Sequence, residues 1–320
     1  MKHKTKSSPK ESAQGGAQVE GQESAQESAA TLSAAGAAGA AGAAGATGAT
    51  GAAAGLRAPV LADQLAMVGV LWRRDLMKFL RRPSRLVGAF LQPVIFWLMI
   101  GGGLASTFTL KGAEGLTYEQ YFYPGILMMM VLFASIFGTI TVIEDRNEGF
   151  LQGVLVAPGS RVALVLGKSL GVSSVGLMQA AAFLACAPLA GFSLLELDWL
   201  TLWTSLTLGA VALSSFGFAL AWWLNSSQAY HAVMSVLLLP AWVLSGAMFP
   251  LSDKHAALAW VMRLNPMSYM VDGVRRSFYD PSALPAGSTV SGSALLDFVV
   301  MLGSAAGALA LASVVVRKSR

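Results

Sequence analysis

Long apolar runs alternate with short polar ones from residue 86 to residue 316. A helix needs roughly 20 apolar residues to cross a hydrocarbon core, and six runs approach or exceed that length: 86–110, 121–143, 162–190, 199–224, 231–249 and 293–316. The fifth is the shortest; its 19 residues reach about 28 Å at 1.5 Å per residue, and it contains Pro240. The pattern predicts an all-α, polytopic membrane protein with six transmembrane helices over residues 86–320.

Ahead of the first run, Leu61, Leu65, Val68, Trp72, Leu76 and Phe79 recur at steps of three and four. Arg73, Arg74, Lys78, Arg81 and Arg82 occupy other faces, and Pro83 ends the pattern. Residues 61–85 therefore read as an amphipathic interfacial helix, with Trp at headgroup depth and its cations toward anionic lipid. Such a helix serves either as an anchor or as an elbow that carries force into the first span. The long connection before the last run, 250–292, holds two further helix starts. Ser252 and Asp253 can cap a helix ending near Leu264, and Asn265 can cap a second with Pro266 at its first position.

Composition supports the membrane reading. The 320 residues are 55% hydrophobic and 12% charged, with a mean hydropathy of +0.59, whereas a soluble domain carries about 25% charged residues. A net charge of +5 fits nucleic acid binding in a soluble protein, but in a membrane protein a basic excess marks the cytoplasmic face. With the N-terminus inside, the inner segments hold eleven Lys and Arg, and the outer loops hold five, four of them in the long connection. The expected placement is a bacterial cytoplasmic (inner) membrane with both termini cytoplasmic, touching lipid and no nucleic acid. Residues 1–60 differ in kind: a polar stretch is followed by Ala, Gly and Thr with glycine at every third position, but without the proline that collagen needs. They read as a disordered low-complexity tail. "MKHKTK" resembles the start of a signal peptide, but no apolar core follows it. The lone Cys186 lies inside an apolar run and reads as a small packed side chain.

The chemistry of known catalytic motifs is not legible here. Gly167-Lys168-Ser169 has the end of a phosphate loop, but the position five residues earlier is Val162 rather than glycine. Lys168 instead reads as a side chain that snorkels toward the inner headgroups. His3, His231 and His255 form no ligand spacing with cysteines or carboxylates. Acidic residues are confined to the ends of the apolar runs, which disfavours an ion-coupled carrier. Gln92, Gln179 and the serine pairs 173–174 and 214–215 read as interhelical glue, and Met128 to Met130 as lipid-facing filler.

The connection between the second and third runs, "EDRNEGFLQGVLVAPGSR", opens with Glu144, Asp145, Arg146 and Glu148, continues as a short helix from Gly149, and ends at Pro158-Gly159 before Arg161. Leu151, Val154 and Leu155 stand at helical spacing and give the short helix an apolar ridge. Two motifs resemble type-2 ABC transporter permeases, the family of drug, lipid and polysaccharide exporters. The first is Asp145-Arg146, Gly149-Phe150-Leu151, Leu155-Val156-Ala157-Pro158 and Ser160-Arg161. The second is Phe249-Pro250-Leu251, Asn265-Pro266-Met267-Ser268-Tyr269 and Asp272-Gly273-Val274-Arg275.

The resemblance covers about 65–320. It implies a permease subunit without its own nucleotide site, paired with a second copy or close relative. A separate ABC ATPase subunit would carry ATP and Mg. By that analogy Glu144, Asp145, Arg146, Glu148, Gly149, Phe150, Leu151, Leu155, Pro158 and Arg161 form the ATPase-coupling loop. Phe249, Pro250, Asn265, Pro266, Tyr269, Asp272 and Arg275 would then belong to an outer gate built on a re-entrant helix pair. The substrate class implied is amphipathic or lipid-like, moved outward. An ATP-independent carrier and a non-transporting membrane scaffold are the alternatives.

Overall fold

The computed structural model describes residues 61–104, 116–156, 160–224, 226–250, 256–279 and 289–318. The tail over 1–60, Pro158 and the Ser252–Asp253 cap lie outside the described residues. Every regular element among the described residues is a helix. Helix α1 is Leu61–Leu80; α2 is Pro83–Phe96, which widens into a π-helical turn at Trp97–Gly101 and ends with Gly102–Leu104. The remaining helices are α3 (Tyr118–Asn147), α4 (Phe150–Val156), α5 (Arg161–Leu184), α6 (Trp199–Trp223), α7 (Ser227–Trp242), α8 (Ala256–Leu264), α9 (Pro266–Phe278) and α10 (Ala294–Lys318).

Five of these, α3, α5, α6, α7 with its continuation to Ala247, and α10, are long and apolar enough to cross a membrane. They match the second to sixth apolar runs. The first run falls on α2, whose apolar stretch among the described residues, Phe90–Gly101, is shorter than a crossing; residues 105–110 of that run lie outside the described residues. Side-chain caps fix the starts: Thr117 forms a capping box with Gln120, and Ser160, Asp198, Ser226 and Asn265 each accept from a backbone N–H two or three residues on.

Helix α3 is the axis of the bundle. Nearly every residue from Tyr118 to Ile143 is buried, including Met128, Met129 and Met130 at 0% exposure. The reading of these methionines as lipid-facing filler is therefore corrected: neighbouring helices surround α3, and Met128 packs where Gly209 of α6 leaves room. Exposed apolar surface lies instead on α2, α7 and α10, where Met99, Val236 and Leu295 are each more than two-thirds exposed.

Helix α1 lies lengthwise along α5. Gly167 and Gly171, one turn apart, face Leu71 and Asp75 so closely that a Cβ on either would stand 2.8 or 3.0 Å from them. Small residues at this spacing let two backbones approach, so the stretch containing the apparent phosphate-loop ending is a packing groove. The α1 face it selects carries Leu71, Asp75 and Phe79, all buried, while Leu61 and Leu65 stay exposed. The predicted stripe thus faces away from the bundle at its N-terminal end.

At the other end of the bundle, α9 runs antiparallel to α6. The Asp198 N–H donates to the Ser277 carbonyl at 3.0 Å, and Pro266 and Met267 reach Ala212 and Leu213, midway along α6.

Candidate functional site

The ends of α3 and α5 nearest α4 are joined to α1 by a buried charge network. The Asp145 side chain is fully buried. It accepts two parallel bonds from the Arg74 guanidinium, at 2.8 and 2.9 Å, a third from Lys78 Nζ at 3.0 Å, and one from Lys168 Nζ. Lys168, 1% exposed, also donates to Asp75 Oδ1 at 3.1 Å and lies 3.0 Å from its Oδ2. Arg74 reaches Asp75 at 3.2 Å, and Lys78 stands 3.9 Å from Glu148. Three cations thus face three carboxylates, and none of the inner ions lacks an opposite charge. Burial pushes the Asp75 carboxyl up from the ordinary carboxylate range, and the Lys168 ammonium pulls it the other way. Lys168 does not snorkel: it is 1% exposed and its ammonium is held by the carboxylates of two other helices. Nor do Arg74 and Lys78 turn outward to lipid, since both bind Asp145.

Helix α4 grows directly from this network. Gly149 has φ +77°, a left-handed conformation that favours glycine. Its N–H closes α3 on the Arg146 carbonyl at 3.1 Å, and its own carbonyl accepts from Gln152. The chain therefore turns sharply between α3 and α4. The Arg74 guanidinium sits 3.5 Å from the centroid of the Phe150 ring, so the cation that grips Asp145 also covers the first residue of α4. Leu151 is buried, whereas Glu148, Gln152, Gly153 and Leu155 are exposed. The expected apolar ridge is divided: Phe150 and Leu151 anchor α4 inward, and Leu155 faces out. Glu144 pairs with Arg82 at 3.7 Å, and the Arg146 guanidinium stands 4.6 Å from the Trp222 ring centroid. Arg161 is apart from the network: its Nη1 donates to the Val316 and Arg317 carbonyls at 2.8 and 2.9 Å, which places the last turn of α10 on the same side as α4.

The second predicted cluster assembles around a break in α7. Pro240 removes a helical donor, the backbone widens over Val243–Ala247, and Gly246 turns left-handed at φ +81°. Irregular backbone inside a membrane bundle requires partners for its freed carbonyls, and side chains from α3 and from α9 with its cap residue supply them. Tyr121 Oη and Arg275 Nη2 both donate to the Gly246 carbonyl at 2.9 Å, and Asn265 Nδ2 donates to Ala241 O at 2.5 Å. Tyr118 Oη donates to Met248 O at 3.1 Å. Asn265 also caps α9 by accepting from the Met267 N–H at 3.0 Å, with Pro266 at the first helical position as expected.

Arg275 is fully buried, 4.3 Å from the Tyr121 ring centroid and 3.8 Å from Asp272. Asp272 is held by the Val290 and Ser291 N–H groups at 2.5 and 3.2 Å. Burial lifts its carboxyl to about 7, against the pull of Arg275. Tyr269 bonds the Arg263 carbonyl at 2.8 Å; Phe249 is exposed and Pro250 half-buried. Sequence reasoning missed Tyr118 and Tyr121, and gave Arg276 no protein partner. Arg276 instead binds Asp297 at 2.8 Å and the Ser291 carbonyl at 2.6 Å. Beneath α9, helices α6, α7 and α10 line a cavity of about 380 Å³ in which Ser304 is the only polar lining residue among the described residues.

Residues 67–279 match the family described as ABC-2 type transporter. Among curated proteins, the chain is 30% identical over 210 residues to the transport permease ycf38 of Cyanophora paradoxa, covering 64% of this chain and 72% of that protein. It is 23% identical over 210 residues to Nodulation protein J of Rhizobium leguminosarum bv. trifolii, covering 64% of this chain and 78% of that one. The inner membrane transport permease YadH of Escherichia coli (strain K12) is 23% identical over 238 residues, covering 72% and 89%.

Proposed function

This chain belongs to the ABC-2 type transporter family, and we propose that it is the permease subunit of an ATP-driven exporter whose ATPase is a separate polypeptide. It is a multi-pass membrane transport permease. In our reading α2 makes the sixth span and both termini are cytoplasmic. Two copies pair, α8 and α9 dip into the membrane from outside, and α4 docks on an ATPase that binds ATP and Mg. The cavity under α9 suits the apolar part of an amphipathic or lipid-like substrate.

The observation that carries this reading is the charge network at the root of α4. A docking helix passes on force only if its base cannot slip. Here one guanidinium grips Asp145 and covers Phe150, while Lys168 ties both to α5. Displacement of α4 would be transmitted to α1, α3 and α5 together. The contact surface offered to the ATPase is Glu148, Gln152 and Leu155.

The test is a mild-detergent purification of the tagged protein from native membranes, with co-purifying proteins identified and ATPase activity measured. A stoichiometric ATPase is expected, lost in Leu155→Asp and weakened in Glu148→Arg. Absence of an ATPase from an intact oligomer would reject the coupling reading. Retention of the ATPase by Leu155→Asp would reject the surface assigned to it.

A further inference from the structure

Four helix ends converge on the side of the molecule that bears α4 and leave a cavity of about 660 Å³ between them. Arg146 from α3, Leu151, Gln152 and Leu155 from α4, Trp222 and Trp223 from α6, and Val315 and Lys318 from α10 form its wall. That volume lies in the ordinary range for a small-molecule site. Among the described residues its lining holds two cations, the Gln152 amide and no carboxylate, and the rest of the wall is indole and aliphatic surface. Arg146 is held in place by the Trp222 ring beneath it. Trp223 is 73% exposed at the last turn of a membrane-crossing helix. An indole in that position belongs at headgroup depth, where its apolar body meets lipid and its N–H meets water.

We infer that this cavity is a binding site for one anionic phospholipid, with its phosphate between Arg146 and Lys318 and the start of its chains against Trp223 and Val315. Basic pockets between the cytoplasmic ends of membrane helices favour anionic headgroups by fixed charge. A zwitterionic lipid gains less, because no carboxylate among the described residues waits for its ammonium and Arg146 already occupies the Trp222 face. A soluble phosphate compound shares the charge chemistry but makes no use of the apolar wall. Gln152 and Leu155 border both this cavity and the surface proposed for the ATPase, and the site goes beyond that coupling role because its occupancy is a property of the permease without an ATPase.

The test is native mass spectrometry of the delipidated, purified permease, titrated with phosphatidylglycerol, phosphatidylcholine or inorganic phosphate. One phosphatidylglycerol is expected to bind at least about tenfold more tightly than phosphatidylcholine. Loss of two headgroup cations in Arg146→Gln/Lys318→Gln should weaken it about thirtyfold, and Lys318→Gln alone about fivefold. Because Lys318 is exposed in the last turn of α10, the single variant keeps the test valid if the double variant misfolds. Equal binding of the two lipids would overturn the inference, as would unchanged binding in Lys318→Gln. An equal loss in Arg73→Gln/Arg81→Gln, which removes two exposed cations from α1 and the turn that follows it, would mean diffuse attraction and reject the pocket. Competition by millimolar inorganic phosphate would reassign the cavity to a soluble ligand.

Discussion

Asp145→Asn changes one oxygen for an amide and leaves the volume unchanged, so it isolates charge from packing. Arg74 and Lys78 have side chains 29% and 19% exposed and can turn to water when their carboxylate is neutralised. Lys168 cannot, being 1% exposed with Asp75 as its remaining counter-ion. Breaking a buried ion pair from one side costs about 3–5 kcal/mol. For a chain of this size each kcal/mol moves the unfolding midpoint by about 2–4 °C, so a fall of about 6–20 °C is expected. The assay is thermal unfolding of the purified protein in a fixed detergent, followed by tryptophan fluorescence at one scan rate. Lys168→Met removes the stranded ammonium as well. The double variant Asp145→Asn/Lys168→Met should therefore lose clearly less than the sum of the two singles, since contacting partners are non-additive. A midpoint for Asp145→Asn within about a degree of the parent, or strict additivity in the double variant, would refute the view that the network holds α1, α3 and α5 together.

Three further outcomes are expected. Gly167→Leu should push α1 off α5, because the added Cβ would stand 2.8 Å from Leu71 and 3.1 Å from the Val68 carbonyl. A cysteine pair at Trp72 and Ser174, which share a 2.9 Å hydrogen bond, should cross-link in the parent and not in the Gly167→Leu background. Leu151→Asp should destabilise the protein by about 2–7 kcal/mol by burying an unpaired polar group, while Leu155→Asp should stay within about 0.5 kcal/mol, as an exposed site does; denaturant titration separates them. For Asp272 the folded carboxyl titrates near 7 and the unfolded one near 4, so between those values the folded state holds more protons. Its contribution to stability is then present at low pH and lost as pH rises toward about 7. Asp272→Asn should gain stability relative to the parent between pH 5 and pH 7.5, and a difference independent of pH would refute that placement.

The membrane-crossing helices were legible because apolar length is a local property: the ends of the second, fourth and sixth runs fall within about four residues of α3, α6 and α10. The start of α9 was legible for the same reason, since Asn265 and Pro266 carry their cap chemistry in adjacent positions. Lys168 was misread because its partners are remote, Asp145 being 23 residues away and Asp75 being 93. Nothing in the local period distinguishes a lysine that reaches lipid headgroups from one clamped by two carboxylates. The rotation of α1 was hidden similarly: its own stripe named one face, but Gly167 and Gly171 on another helix selected the neighbouring one. At the cluster around the α7 break Arg275 was found by motif, whereas Tyr118 and Tyr121 lay unmarked at the start of an apolar run. Only the break in α7 gives their hydroxyls a carbonyl to meet.

The grip of Arg161 on the final carbonyls of α10 bears on how the protein can be handled. A guanidinium placed against the last turn of a helix neutralises the negative end of its dipole and supplies donors to carbonyls that have no helical partner. It also fastens the first turn of α5, eleven residues beyond the start of α4, to the last turn of α10. A fluorescent reporter or affinity handle attached at the last turn of α10 would stand on the side of α4, in the space proposed for an ATPase. A handle placed on the polar N-terminal stretch is separated from α1 by dozens of residues. The same proximity makes a small dye at Lys318 a natural sensor: it would register α4 being covered without touching the covering surface itself.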